Sequence, residues 1–251
     1  MCTVTYIPVK DGVIITSNRD EQRGRPRALE PEIYAARTGG LLYPKDGLAG
    51  GTWMAVNERG AVLVLLNGAR ERHIPQPPYR ESRGLILLQL ADRDNSLETF
   101  KKLDLNKIEP FTIILLEAGA LYECRWDGEE RVWRAMNAAA AHIWSSVTLY
   151  DPAMRERRQD WFVSWLRDNP IADAAGILKF HWFTGDGDPR NDLVMNRDNR
   201  LLTVSITSVQ VKAGEVRMQY LDTLSGRDTH RKLLLTKRQG AVPAVSIPAI
   251  L

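Results

Sequence analysis

Cysteine is nearly absent from this chain: Cys2 and Cys124 are the only two in 251 residues. A disulfide framework is therefore excluded, and a single bridge between those two would add little to a chain long enough to build its own core. Long hydrophobic runs are missing as well. No apolar stretch approaches the ~20 residues that span a bilayer. The first residues show neither the basic start nor the long apolar segment of a secretory signal, and a Cys directly after Met1 leaves no room for one. An excess of one charge is missing too, because 34 basic and 31 acidic residues are interspersed for a net +3, which gives no footing for a nucleic-acid partner. There is no Gly-x-Ser-x-Gly elbow, P-loop or dinucleotide fingerprint. His73, His142, His181 and His230 lack metal-ligand spacing, and Pro189 and Arg190 interrupt the calcium-loop pattern suggested by Asp186, Asp188 and Asp192. The expectation is a soluble, reduced, cytoplasmic protein with no metal or cofactor, whose partner is a small-molecule substrate or ligand.

What is present is an ordinary globular composition, 44% hydrophobic, arranged mainly as hairpins. CTVTYIP and GVIITSN are joined through Lys10-Asp11-Gly12, GTWMAVN and GAVLVLLN around Glu58-Arg59, and the two halves of TIILLEAGALYECRW at Ala118-Gly119. RLLTVSITSVQVKAGEVRMQYLD turns at Ala213-Gly214. Two short helices are expected after Tyr79, capped by Ser82 and by Asn95 or Ser96. A long one opens at Asp151-Pro152 and stops at Asn169-Pro170, and ADAAGILKFHWF forms another. Trp161, Phe162 and Trp165 form the apolar stripe of the long helix, and the run Arg155 to Arg158 reads as its solvated side. Cys124 reads as a small buried apolar residue. Hairpins with helices inserted in pairs predict an α+β layered protein with antiparallel sheets. With no composition break before residue 225, one domain is expected over 1–251, with 226–251 a peripheral tail.

The position of Cys2 raises the chemical question. If Met1 is removed, that residue carries a thiol and a free α-amino group, which together form a nucleophile and its base. Taking Asp11-Gly12 as a two-residue turn makes paired positions sum to 23. Cys2 then opposes Glu21, Thr3 opposes Asp20 and Val4 opposes Arg19. Alternation puts Cys2, Arg19 and Glu21 on one face, within ~5–8 Å, so the guanidinium favours the thiolate. Asp20 falls on the other face and reaches the α-amino group only through a bulge or the strand's end. The competing reading is an edge hairpin carrying surface charges.

Ser17-Asn18-Arg19-Asp20-Glu21 behind Met-Cys resembles the NRDE-motif family, also called the transport and Golgi organisation protein 2 family. The likeness continues through GGTWMAVNERG, SRG at 82–84 and SSVTLYDP. That family is similar in turn to N-terminal-nucleophile hydrolases of the penicillin V acylase and bile-salt hydrolase type, which share the Met-Cys start and an Asn-Glu-x-Gly hairpin ending in Leu-Asn, here Asn57 to Gly60 running on to Leu66-Asn67. The resemblance implies a four-layer αββα sandwich of two antiparallel sheets. It implies Cys2 as nucleophile, Arg19 beside the thiolate, Asp20 holding the α-amino group and Asn67 as oxyanion donor, with Asn18, Ser146 and Arg190 on the substrate side. Ser145-Ser146 stand where the acylases have a second asparagine, and Arg190 is the nearest match to their late arginine. The activity implied is cleavage of a non-peptide amide in a small acylated molecule. The family's links to secretory-pathway organisation and to haem and lipid handling imply the alternative of a non-catalytic binding or trafficking protein.

Overall fold

The computed structural model describes residues 3–236. Two antiparallel sheets lie face to face. The first runs β10 (His142–Ser145), β1 (Thr3–Val9), β2 (Gly12–Gln22), β12 (Leu201–Lys212), β13 (Glu215–Asp222), β14 (Asp228–Leu234), with β11 (Asn196–Arg197) also pairing with β12. The second is a meander, β3 (Leu29–Ala36), β4 (Gly39–Lys45), β5 (Met54–Asn57), β6 (Val62–Asn67), β7 (Phe111–Glu117), β8 (Ala120–Trp126) and β9 (Arg131–Met136). Helices α1 (Arg83–Ala91) and α2 (Ser96–Lys102) cover the outside of the second sheet, and α3 (Pro152–Asp168) and α4 (Ala174–Phe183) the outside of the first. The result is the expected four-layer αββα sandwich.

The elements form where local chemistry directs them. Ser82, Asn95, Asp151 and Asp173 cap the four helices, each accepting a backbone N–H of the first turn. Ala118 and Gly119, both at positive φ, close the β7–β8 hairpin as a tight turn between Glu117 and Ala120. Between the sheets, alternate residues of both meet in one apolar core that includes Val4, Tyr6, Ile15, Val64, Ile114, Val209 and Met218.

Three expectations are corrected. The first hairpin turns at Lys10-Asp11, not Asp11-Gly12, so pairs sum to 21: Val9 faces Gly12, Thr3 faces Asn18 and Val4 faces Ser17. The reason is Gly12 itself. It is a strand residue at φ +152 against β12, and a Cβ there would lie 1.9 Å from the Val211 carbonyl oxygen. A shift of two leaves the faces unchanged, so Arg19 still shares the inner face with Val4. Second, part of the expected tail is structured, because β14 pairs with β13 along Asp228–Leu234. Third, Arg158 is not solvated. It lies four residues before Phe162 and seven before Trp165, on the stripe that faces the sheet, and it is fully buried.

No helix among the described residues is long and apolar enough to cross a membrane.

Candidate functional site

Cys2, the expected nucleophile, lies outside the described residues. The described chain enters the first sheet at Thr3, between Asn18 of β2 and Ser145 of β10. The other candidate residues are placed around this strand start.

Arg19 and Asp20 are adjacent in sequence and point to opposite faces of β2. Arg19, 4% exposed, turns inward. Its guanidinium lies 4.6 Å from the ring centre of Trp53, donates to Asp46 at 2.6 Å and stands 3.6 Å from Glu21. Trp53 is fixed in turn, its Nε1 donating to Thr207 Oγ1 of β12 at 3.1 Å. Asp46 also takes both Nε and Nη2 of Arg25, at 2.9 and 3.0 Å. Burial works against its charge, but the Arg25 hydrogen bond, the Ala49 backbone N–H and the charges of Arg19 and Arg25 together hold its carboxyl below the usual range. Arg19 is thus a clamped cation, oriented by a carboxylate that stays ionised.

Asp20, 3% exposed, turns outward toward the α3–α4 layer. Its two carboxylate oxygens accept from Tyr150 Oη at 2.7 Å and from Thr203 Oγ1. Asn18 lies on the same face, its amide committed: Nδ2 donates to Leu193 O at 2.6 Å and His181 O at 3.2 Å. The Asn18 carbonyl therefore faces His181 Nδ1 as an acceptor. Burial first, and Arg158 second, push the His181 pKa down to about 3. A neutral ring that donates from Nδ1 accepts at Nε2, here from Thr5 Oγ1 at 2.8 Å. Arg158 completes this layer. It donates to Thr3 Oγ1 and to the carbonyls of Asn191 and Asp192 at 2.8 and 2.9 Å, and it stacks 3.7 Å from the centre of the Tyr150 ring.

Asn67, at the end of β6, and Ser146 meet in the wall of a cavity of about 180 Å³, together with Ser145, Thr112, Arg155 and Gln159. Ser146 Oγ donates to Asn67 O at 2.8 Å. The close approach depends on Gly68, at φ +80, where a Cβ would stand 2.5 Å from Val147 Cγ2. The Asn67 side-chain amide makes no hydrogen bond among the described residues, and Asn67 is one of the residues lining the cavity. A second cavity of about 280 Å³ opens beside Arg19, bounded by the loop after β2, by Tyr220 and by Leu224. Of the strand partners of Thr3, Ser145 lines the first cavity, and Asn18 directly precedes Arg19, which lines the second. Arg190 lines neither. It is exposed and paired with Asp198 at 2.7 Å. No cluster of His, Cys, Asp and Glu suited to a metal ion occurs among the described residues.

Sequence reading missed Asp46, Tyr150, Thr203, His181 and Arg158. Arg158 left a usable signal in its spacing from Phe162 and Trp165, and Tyr150 lies in the SSVTLYDP stretch. The others are brought to β1 and β2 by long-range pairing.

The family model described as Transport and Golgi organisation 2 matches residues 1–162. No curated protein sequence matches the chain. Among solved structures, a cysteine-to-alanine mutant of the conjugated bile acid hydrolase from Clostridium perfringens superposes with a TM-score of 0.56 at 13% identity, covering 95% of this chain and 99% of that one. An arginine-to-leucine variant of the same hydrolase gives 0.56 at 12%, with the same coverage. The Caenorhabditis elegans ortholog of N-acylethanolamine-hydrolyzing acid amidase gives 0.54 at 11%, covering 82% and 92%. These likenesses show the N-terminal-nucleophile hydrolase fold.

Proposed function

Because the chain belongs to the Transport and Golgi organisation 2 family, and carries the fold of amide hydrolases, we propose that it is an N-terminal cysteine amidohydrolase acting on a small acylated molecule. The observation that carries this reading is Asn67, whose side-chain amide is uncommitted among the described residues and which lines a cavity whose wall includes Ser145, a strand partner of Thr3.

In this mechanism removal of Met1 frees the Cys2 α-amino group, whose ordinary pKa of about 7.7–8.0 lets it take the thiol proton near neutrality. Arg19 offsets the thiolate charge. The sulfur adds to the amide carbonyl, and the oxyanion accepts from Asn67, a contact typically worth ~2.7–4 kcal/mol of barrier. Collapse breaks the C–N bond, and the ammonium returns its proton to the leaving amine. Water then cleaves the thioester, releasing the acid and restoring the thiol. Asp20, held by Tyr150 and Thr203, orients the amino group. Ser146 completes the proposal as a substrate-side residue and Asn18 acts through the layer it braces, whereas Arg190, exposed, paired with Asp198 and outside both cavities, takes no substrate role. The protein works in the cytoplasm, where the thiol stays reduced.

Neither cavity reaches the ~300–1,000 Å³ of sites that enclose drug-sized ligands, which favours a short acyl amide over haem or a whole lipid. The test is a panel of acyl amides, penicillin V and acyl-homoserine lactones, run with intact mass spectrometry to establish loss of Met1. Turnover that disappears in Cys2→Ala, with the fold retained, is expected. No turnover of any compound by protein that begins at Cys2, together with saturable haem or lipid binding, would replace this reading with the non-catalytic one.

A further inference from the structure

Asp20 and Arg158 are opposite charges buried in one polar layer, yet among the described residues neither forms an ion pair. The Asp20 carboxylate accepts from neutral hydroxyls, those of Tyr150 at 2.7 Å and of Thr203. Arg158 donates to neutral oxygens, the Thr3 hydroxyl and two backbone carbonyls, and its Nε meets no acceptor. Tyr150 joins the two charges. Its hydroxyl reaches Asp20, while the Arg158 guanidinium lies 3.7 Å from its ring centre. A second guanidinium, that of Arg197, lies 5.4 Å from the same ring centre, and it too donates to neutral oxygens, those of Arg190, Leu149 and Asn191. The phenol has one proton to give. Met195 Sδ stands at 3.2 Å, but the carboxylate is closer and charged, so the proton points to Asp20. The other ionisable groups around this layer are settled elsewhere. His181 is neutral above its pKa of about 3, and Asp192 accepts the Asp186 backbone N–H. Arg19 is matched to Asp46 and Glu21 on the other face of β2, and Arg190 to Asp198.

We propose that Tyr150, polarised by Arg158 and Arg197, is a positioning residue that governs how strongly Asp20 holds the Cys2 α-amino group as ammonium. A cation over a phenol draws electron density from the ring and makes the O–H a stronger donor. The carboxylate then shares its charge with that hydroxyl, and less is left to favour a neighbouring ammonium. The chemistry needs this restraint. A carboxylate with no other partner would keep the amine protonated through neutral pH, and a protonated amine cannot take the thiol proton. The relay lets Asp20 orient the amine and still leaves a free-base fraction near the ordinary pKa of about 7.7–8.0. The inference rests on the Asp20 contact of the hydrolase reading, but not on turnover.

The experiment titrates the amine directly. The full chain carrying Cys2→Ala has a free α-amino group once Met1 is removed, and it lacks the competing thiol. Labelling with acetic anhydride at a series of pH values, read by mass spectrometry of the N-terminal peptide, gives the titration midpoint. Tyr150→Phe keeps the ring beneath both guanidiniums but removes the hydroxyl, and it is expected to raise the midpoint by about one pH unit, a ~10-fold gain in proton affinity. Arg197→Gln is expected to raise it by less, and to add nothing in the Tyr150→Phe background, because its charge acts through the hydroxyl. An unchanged midpoint in Tyr150→Phe overturns the relay. So does an Arg197→Gln shift that is equal in both backgrounds, which marks a direct effect of charge. Should Tyr150→Phe fail to fold, an unchanged midpoint in Arg197→Gln alone overturns it. Each of these results leaves the hydrolase reading to the amide panel. Midpoints that move as expected, with no turnover of the panel by protein beginning at Cys2, keep the relay and defeat the hydrolase reading.

Discussion

Helices α1 and α2 press Ile86, Leu87, Leu90, Ala91, Leu97 and Phe100 onto one sheet, with Ser96 their one buried polar residue. Helices α3 and α4 press Arg158 and His181, with Phe162, Ile177 and Phe180, onto the other. The first layer is held by non-directional burial, worth ~1.5–3 kcal/mol for each large side chain. The second spends part of its area on directional contacts, in which Arg158 holds Thr3, His181 holds Thr5 and Asn18, and Tyr150 and Thr203 hold Asp20. All these contacts fall where β1 begins and β2 ends. The polar layer braces the candidate site from behind, and the apolar layer serves stability alone.

Substitutions in the two layers test this division. Arg158→Met leaves two carbonyls and a threonine hydroxyl without their donor, at ~1–3 kcal/mol for each buried group, and is expected to cost ~3–5 kcal/mol overall. Leu90→Ala on the opposite layer removes a fully packed side chain and is expected to cost ~2–5 kcal/mol. Urea unfolding measures both, and native-state hydrogen exchange separates them. Arg158→Met should selectively lose protection in β1 and around residues 191–193, whereas Leu90→Ala should lower protection in proportion to global stability. Equal patterns in the two variants would remove the bracing role.

A smaller, pH-dependent effect follows from His181. Its native pKa of about 3 lies below the ordinary value of about 6.5, so between these the unfolded chain binds the extra proton. Stability therefore falls as pH drops from about 6.5 toward 3, by up to ~1.4 kcal/mol per pH unit, and His181 contributes no slope above that window. Unfolding midpoints at pH 7 and pH 5 measure the slope. His181→Gln, which keeps a polar group without a titrating ring, is expected to flatten it. An unchanged slope would show that other groups set the acid sensitivity.

How much of this could be read from the sequence depended on the range of the interaction. Caps at Ser82, Asn95 and Asp151 and the turn at Ala118-Gly119 are decided within a few residues, and all were legible. The Gly12 register was not, because the atom that requires glycine there belongs to Val211, far along the chain. The Arg19–Asp20 pair was visible as a motif, but its partners Asp46, Tyr150 and Thr203 come from three distant segments, and of these only Tyr150 lies in a recognisable stretch, SSVTLYDP, which does not itself reveal the contact. Arg158 was misread because a run of charges resembles a solvated face. Only its spacing from Phe162 gives the buried orientation.

The smallest expected effect concerns the described cysteine, and it extends the same comparison to reactivity. Cys124 sits in mid-β8, paired with Ile113 of β7, the strand on which α2 packs. It is 1% exposed. Burial first, then the charges of Glu123 and Glu117, push its pKa up to about 12. At pH 7 that leaves about one thiolate in 10⁵, and the thiolate is the form that alkylates. Brief iodoacetamide treatment of the native protein is therefore expected to leave Cys124 unmodified, and the same treatment in urea to label it fully. Cys124→Ala should shift the unfolding free energy by only ~1 kcal/mol, since one small buried group is lost. Under the proposed mechanism Cys2 reacts first, because its thiol has a base on its own backbone and the clamped Arg19 beside it. The sandwich would then keep one thiol inert beneath its apolar layer and activate the other in front of its polar one. Native labelling that appears on Cys124 as early as on Cys2 would erase that contrast and the nucleophile assignment with it.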